Sequence, residues 1–306
     1  MGADAGLAPA GTEDRALPIE IRDNIIINRN CNKFLHDNSL IKFDDFFNLP
    51  ADAVIKRVRD ERETRRVILR ENGAQKTFYL KRTTYRPIME FLRSIIKWTR
   101  QFNDAAREFR MYRAFRDAGL PTAAPVAAGK RGSIFRVETF CLTAAIGNTA
   151  KLEDYLPENF APPLDGNKIG EKHALMRNLG KLAAMMHGAG FNHRDFYICH
   201  VHRFEDGKLA ILDLSRAGYF PAGVPERWIV KDLAALDSWP LPPGVLHATD
   251  RMRCFKAYLG RNGKLNARDR IFLAKILKRA ASLRVRGEKS RRRDALFVAR
   301  EAARAK

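Results

Sequence analysis

The sequence predicts an α+β protein, β-rich in its first half and mostly helical in its second. Three features lead there. An Asn72-Gly73 turn separates two runs of strand formers within 65–82. A well-bounded helix occupies 103–119. A long amphipathic helix at 171–187 leads into a second hairpin. At 306 residues, the chain has material for one large domain or two lobes with an ample core.

Residues 1–18 are rich in Ala and Gly without periodicity and read as disordered. Ile19–Asn28 (IEIRDNIIIN) reads as a strand. Asp44–Val58 has helical character, broken near Pro50. Arg65–Arg82 (RRVILRENGAQKTFYLKR) is the first clear unit, because Asn-Gly supplies the positive φ angles a two-residue hairpin turn demands. In the 103–119 helix, Asn103 or Asp104 caps the start and Gly119-Leu120-Pro121 stops the end. Ala105, Phe109, Tyr112 and Phe115 form its apolar stripe. Ser133–Thr143 reads as a buried strand. Leu152–Leu156 opens a second, helical region after which APPLDG is a connector. Glu171–His187 carries Leu175, Leu179, Leu182 and Met186 on one face and ends at Gly188-Ala189-Gly190, a rigid mount for the loop that follows.

That loop opens the stretch FNHRDFYICHVHRFEDGKLAILDL, residues 191–214. Glu205-Asp206-Gly207 joins two strand-forming runs, 198–204 and 209–214. If Phe204 pairs with Lys208, antiparallel register sets His200 opposite Leu212, one step from Asp213. The hairpin then gathers Asp195, His200 and Asp213 at its open end. A zinc site built from His187, His193, Cys199, His200 and His202 fits no paired ligand spacing, and Cys199 faces away from its neighbours on a strand.

Composition narrows the partners. A net charge of +21 calls for an anionic one: nucleotide phosphates, an acidic membrane face, an anionic glycolipid or nucleic acid. Residues 251–306 hold 19 Lys/Arg against 4 Asp/Glu; this run is either a solvated face or a surface for a membrane or anionic substrate. Arg268–Arg286 reads as a basic helix, followed by EKSRRRD and a short terminal helical segment. No apolar run approaches the ~18 residues of a spanning helix, and no secretory leader is evident. Cys31, Cys141, Cys199 and Cys254 are dispersed and read as free thiols of a reducing compartment, so the cytoplasm is expected.

The residues also carry a resemblance. His193-Arg194-Asp195 matches the H-R-D of protein kinases, His200 stands at the position of their metal-binding Asn, and Asp213-Leu214-Ser215 replaces D-F-G. HRDFYICH, LAILDLSRA and RWIVKDLAAL together resemble the lipopolysaccharide core heptose kinases of the Kdo/WaaP type, over roughly residues 60–290. The resemblance implies a two-lobed protein-kinase-like fold, with an N-lobe at 19–145, a C-lobe at 146–290 and a basic tail at 291–306. It implies ATP and Mg²⁺ as cofactors and an inner-core heptose hydroxyl as acceptor, with peripheral contact at the anionic cytoplasmic membrane face.

It also implies roles. Asp195 is the base, and Asp213 ligates metal. His200 is a second ligand or a support for the loop, nitrogen being a poorer donor to Mg²⁺ than oxygen. Lys81, aligned by Glu108, contacts the phosphates, and Glu138 to Cys141 offer backbone to the adenine edge. His193, Arg194 and Asp232 brace the catalytic loop. Arg216 and Arg227 are candidates for holding sugar. Kdo kinases carry Asn where this chain has His200, which favours the heptose branch. One element departs from the pattern: Gly73 is the only glycine where a phosphate-binding loop is expected. A Kdo or protein acceptor, a basic nucleic-acid-binding protein, and an inactive kinase-like adaptor are the alternatives. Nucleic acid is disfavoured because the basic half has few aromatics and no recognised binding motif.

Overall fold

The structure is a computed structural model that describes residues 18–58, 62–87 and 105–304, with side chains through 289. Of the expected disordered stretch, residues 1–17 lie outside the described residues, as do the capping candidates Asn103 and Asp104. The chain divides into two compact units, 1–145 and 146–306.

The first unit is built on a seven-stranded antiparallel sheet. Its strands are β1 (Ile19–Arg22), β2 (Ile25–Asn28), β3 (Ala53–Val58), β4 (Arg62–Glu71), β5 (Ala74–Tyr85), β6 (Pro125–Gly132) and β7 (Val137–Ala144), in the order β1-β2-β6-β7-β5-β4-β3. Asn72 (φ 51°) and Gly73 (φ 80°) make the β4–β5 turn, with Glu71 paired to Ala74. Side chains alternate across β5 and β7. Phe78, Leu80, Phe140 and Leu142 point to one face, where they pack with Phe34 of α1 (Asn32–Asp37) and Phe43, Phe46 and Phe47 of α2 (Phe43–Phe47). Cys141 points to the other face and meets Phe109 of α3 (Ala105–Asp117). Lys81, paired in register with Cys141, shares that face.

Several elements differ from the sequence reading. Ile19–Asn28 is two strands, because Asp23 turns the chain at φ 51° and lets Ile19 pair with Asn28. The helix at 44–58 ends at Phe47, and beyond Pro50 the β-branched run AVIKRV becomes β3. Ser133–Arg136 is the turn into β7 rather than strand, closed by Ser133 N–H donating to the Arg136 carbonyl at 2.8 Å.

The second unit opens with β8 (Thr149–Lys151) and α4 (Leu152–Phe160). Helix α5 (Gly166–Gly188) follows, its start capped by Asp165, which accepts the Lys168 N–H at 2.8 Å. Leu175, Leu179, Leu182 and Met186 are buried as the periodicity required. Gly180 lets α5 lie directly on α7 (Ala248–Tyr258): a Cβ there would stand 2.1 Å from the Cys254 carbonyl oxygen.

After α5 come the short strand β9 (Phe191–Asn192), the hairpin β10 (Val201–Phe204) with β11 (Leu209–Ile211), and β12 (Gly218–Tyr219), which pairs with β9. The first hairpin strand is shorter than expected, since 198–200 form a 3₁₀ turn. Then follow α6 (Glu226–Ser238), α7 and α8 (Ala267–Arg304). Helix α8 runs unbroken through EKSRRRD to Arg304 and takes in the terminal helical segment the sequence suggests, because EKSRRRD contains no residue that breaks a helix. Among the described residues, no helix is long and apolar enough to cross a membrane.

Candidate active site

Two groups of candidate residues exist, one in each unit. In the first, Lys81 Nζ donates to Glu108 Oε1 at 2.7 Å. Glu108 sits on the buried face of α3 at 6% exposure, so its charge is compensated by this cation rather than by water.

Glu138 does not fit the adenine-edge role. It lies at the start of β7, and Arg131 Nε and Arg136 Nη2 each donate to its carboxylate at 2.9 Å. The backbone from Glu138 to Cys141 is paired with β5 on one side and β6 on the other, so it has no free edge. The error follows from the position of the strand: β7 starts at Val137, and its backbone leaves the sheet only after Ala144.

In the second unit the 193–195 loop is anchored from below. Asp232 on α6 is fully buried, and its two oxygens accept the backbone N–H groups of His193 and Arg194, each at 2.7 Å. His187 Nε2 lies 3.4 Å from the same carboxylate. His193 is fully buried; its Nε2–H donates to the Leu212 carbonyl at 2.8 Å, and burial pushes its pKa down, so it is a neutral brace between loop and hairpin. Arg194 takes a left-handed backbone (φ 68°), which turns the chain so that Asp195 follows outward.

The hairpin has the register read from its turn. Phe204 N–H donates to Lys208 O at 2.9 Å, and Leu212 N–H donates to His200 O at 2.9 Å. His200 therefore sits across from the residue before Asp213. Its Nδ1 is 2.8 Å from the Asp195 carbonyl oxygen, an acceptor only, so Nδ1 carries a proton. That Nε2 is 3.7 Å from Asp213 Oδ2. Asp213 is also left-handed (φ 60°), and Ser215 Oγ donates to its Oδ1 at 2.9 Å.

Arg216 Nη1 donates to both oxygens of Asp195, at 2.9 and 3.0 Å. Arg227 lies farther along, its guanidinium 5.5 Å from the centroid of Trp228. The sequence marks Ser215 only as the last residue of the D-F-G replacement and gives Trp228 and Lys231 no role. The run RWIVKD enters the sequence only as part of a resemblance, and it is the packing of α6 under the loop that brings Lys231 near Asp195.

The second unit thus holds a rigid loop and hairpin that present two carboxylates and an imidazole, and the first unit separately holds the Lys81–Glu108 pair of β5 and α3. A model of the lipopolysaccharide kinase (Kdo/WaaP) family matches residues 47–250, which include every one of these side chains. The chain belongs to this family. It is accordingly a lipopolysaccharide kinase, an ATP-using phosphotransferase with a kinase-like fold.

Its relatives include the lipopolysaccharide core heptose(I) kinase WaaP of Escherichia coli K12, 32% identical over 208 residues, 65% of this chain and 76% of that one. A second Escherichia coli WaaP is 34% identical over 184 residues, 58% of this chain and 68% of the relative. The WaaP of Pseudomonas aeruginosa is 35% identical over 188 residues, 58% and 67%.

Proposed function

We propose that this kinase transfers the γ-phosphoryl group of ATP to a heptose hydroxyl of the lipopolysaccharide inner core, with Asp195 as the base. The observation that carries this is the Asp195–Asp213 pair on one braced support, in a chain similar to three heptose(I) kinases. Asp195 accepts the proton of the acceptor hydroxyl as its oxygen attacks phosphorus and the bond to the ADP oxygen breaks. A carboxylate has about four lone-pair sites, so Asp195 keeps capacity for that proton while Arg216 holds it. Lys81, steered by Glu108, contacts the phosphates of the nucleotide.

The donor set suits Mg²⁺. The ion takes one or two protein ligands and completes its shell with phosphate and water oxygens. Asp213 offers a carboxylate oxygen, and Nε2 of His200 lies 3.7 Å from it, close enough for the two to share an ion as ligands. The ion supplies charge neutralisation at the phosphates. The acceptor is held at a membrane, and the basic surface of the chain favours peripheral contact with the anionic cytoplasmic face.

The test is ATP turnover with purified core glycolipid, with the product located by mass spectrometry. Phosphate on a heptose, lost in Asp195→Ala and Asp213→Ala, is the expected result. Turnover that survives either substitution refutes the assignment.

A further inference from the structure

Trp228, on the first turn of α6, is surrounded by cations. The Arg194 guanidinium lies 4.6 Å from its ring centroid, Arg227 5.5 Å and Lys231 Nζ 5.6 Å. Arg216 joins them through Asp195, and Lys231 interacts with the charges of Asp195, Arg216, Asp232 and Arg194. Among the described residues, these four cations thus gather about two carboxylates, Asp195 and Asp232. Of those two, Asp232 is occupied beneath by the loop N–H groups, and Asp195 is needed for the acceptor. The neighbouring acid Glu226 turns away to Lys275 of α8. Burial also holds Lys231 below the ordinary lysine value, so this ammonium is poorly hydrated.

Like charges gathered at this density repel, and the electron-rich face of one indole offsets only part of that. An oxyanion seated among them completes the balance. Planar guanidinium groups are suited to take carboxylate or phosphate in a two-point contact. We propose that Arg194, Arg216, Arg227 and Lys231, spaced by Trp228, form a subsite for an anionic group borne by the acceptor close to the hydroxyl that is phosphorylated. The ligand is a carboxylate or phosphate on the same glycan. This rests on the kinase reading and adds to it what the enzyme requires of its acceptor: a sugar with its own negative charge beside the reacting hydroxyl. Trp228 and Arg194 are positioning residues; Arg227 and Lys231 make the contact.

The test compares two acceptors, the intact core glycolipid and the same glycolipid with its carboxylates reduced and its phosphates removed. Arg227→Gln and Lys231→Gln are each expected to raise KM for the intact acceptor about tenfold, equivalent to about 1.4 kcal/mol. KM for ATP is expected to stay within about twofold, and the variants to match the wild type on the neutralised acceptor. Lys231→Arg is expected to keep the wild-type KM, and Arg227→Lys, which retains the charge but not the two-point contact, to fall between wild type and Arg227→Gln.

An equal loss on both acceptors, or no loss, overturns the subsite. A rise confined to KM for ATP assigns the cations to the nucleotide phosphates and overturns it too. Equilibrium binding of the delipidated core oligosaccharide, followed by Trp fluorescence without nucleotide, separates this inference from the kinase reading. Binding that depends on the charge of the oligosaccharide and is weakened by the substitutions supports the subsite even if no phosphate is transferred, an outcome that would remove the kinase reading alone. Binding indifferent to charge removes the subsite alone.

Discussion

Replacement of Asp232 by alanine is expected to damage folding and catalysis together. The carboxylate is fully buried and accepts two loop N–H groups at 2.7 Å. Hydrogen bonds to a charged acceptor are worth about 1.5–3 kcal/mol each, so losing both costs ~3–6 kcal/mol. For a unit of this size each kcal/mol moves the melting temperature by roughly 2–4 °C, which gives a fall of ~6–24 °C. His187 loses its 3.4 Å partner as well. The two released amides immediately precede Asp195, and a displacement of ~1 Å there is expected to lower kcat about 100-fold. Asp232→Asn keeps the volume but aims an NH₂ group at one of the two donors, so it falls between wild type and Asp232→Ala. The measurements are urea unfolding and kcat, the latter well below the melting temperature of each variant. An Asp232→Ala protein within about 1 kcal/mol of wild-type stability and about threefold of its kcat would refute the anchoring argument.

Other outcomes are equally open to measurement. Lys81→Met and Glu108→Gln are expected to raise KM for ATP with a coupling of about 1–3 kcal/mol in a double-mutant cycle; additive effects would contradict the 2.7 Å pair. Glu63 is held at a pKa of about 2, below its ordinary 4.5, because hydrogen bonds from Arg65, Arg82 and Arg57 outweigh the opposing effect of burial. Its folded pKa is depressed, so its stabilisation is complete above about pH 4.5 and is lost as pH falls toward about 2. Glu63→Gln is therefore expected to flatten the acid limb of unfolding free energy against pH, and an unchanged limb would oppose this. Gly180→Ala is expected to destabilise by about 1–3 kcal/mol although alanine favours helix, because its Cβ would meet the Cys254 carbonyl at 2.1 Å. Gly170→Ala on the same helix has nothing within 4 Å and is expected to stabilise. Equal effects at the two sites would discredit the close contact of α5 and α7.

Much of the fold was legible where local chemistry admits one solution. Asn72-Gly73 accepts positive φ at both turn positions and so sets the β4–β5 pairing. Glu205-Asp206-Gly207 likewise set the register that puts His200 across from Leu212. The α5 and α3 stripes were readable because one face of each carries almost all the large apolar residues.

What escaped depends on distant partners. Residues 198–200 leave the strand, with His200 turned back to the Asp195 carbonyl, a contact no propensity encodes. The adenine-edge role of Glu138 to Cys141 comes from position within a resemblance, and strand pairing on both sides of β7, which no local pattern encodes, takes up that backbone. The cations around Trp228 come from two separate segments, the loop and α6, and periodicity within either one is silent about their meeting.

Arg194 and Asp213 hold backbone conformations that glycine would occupy with less strain, by roughly 1 kcal/mol. Glycine at either site would therefore tend to relax the chain while stripping away a guanidinium beside Trp228 or a carboxylate beside His200. A library sorted only for survival of heating would drift toward proteins that stand up well and transfer nothing. At these two positions robustness and turnover are competing traits, and selection for either has to monitor the other.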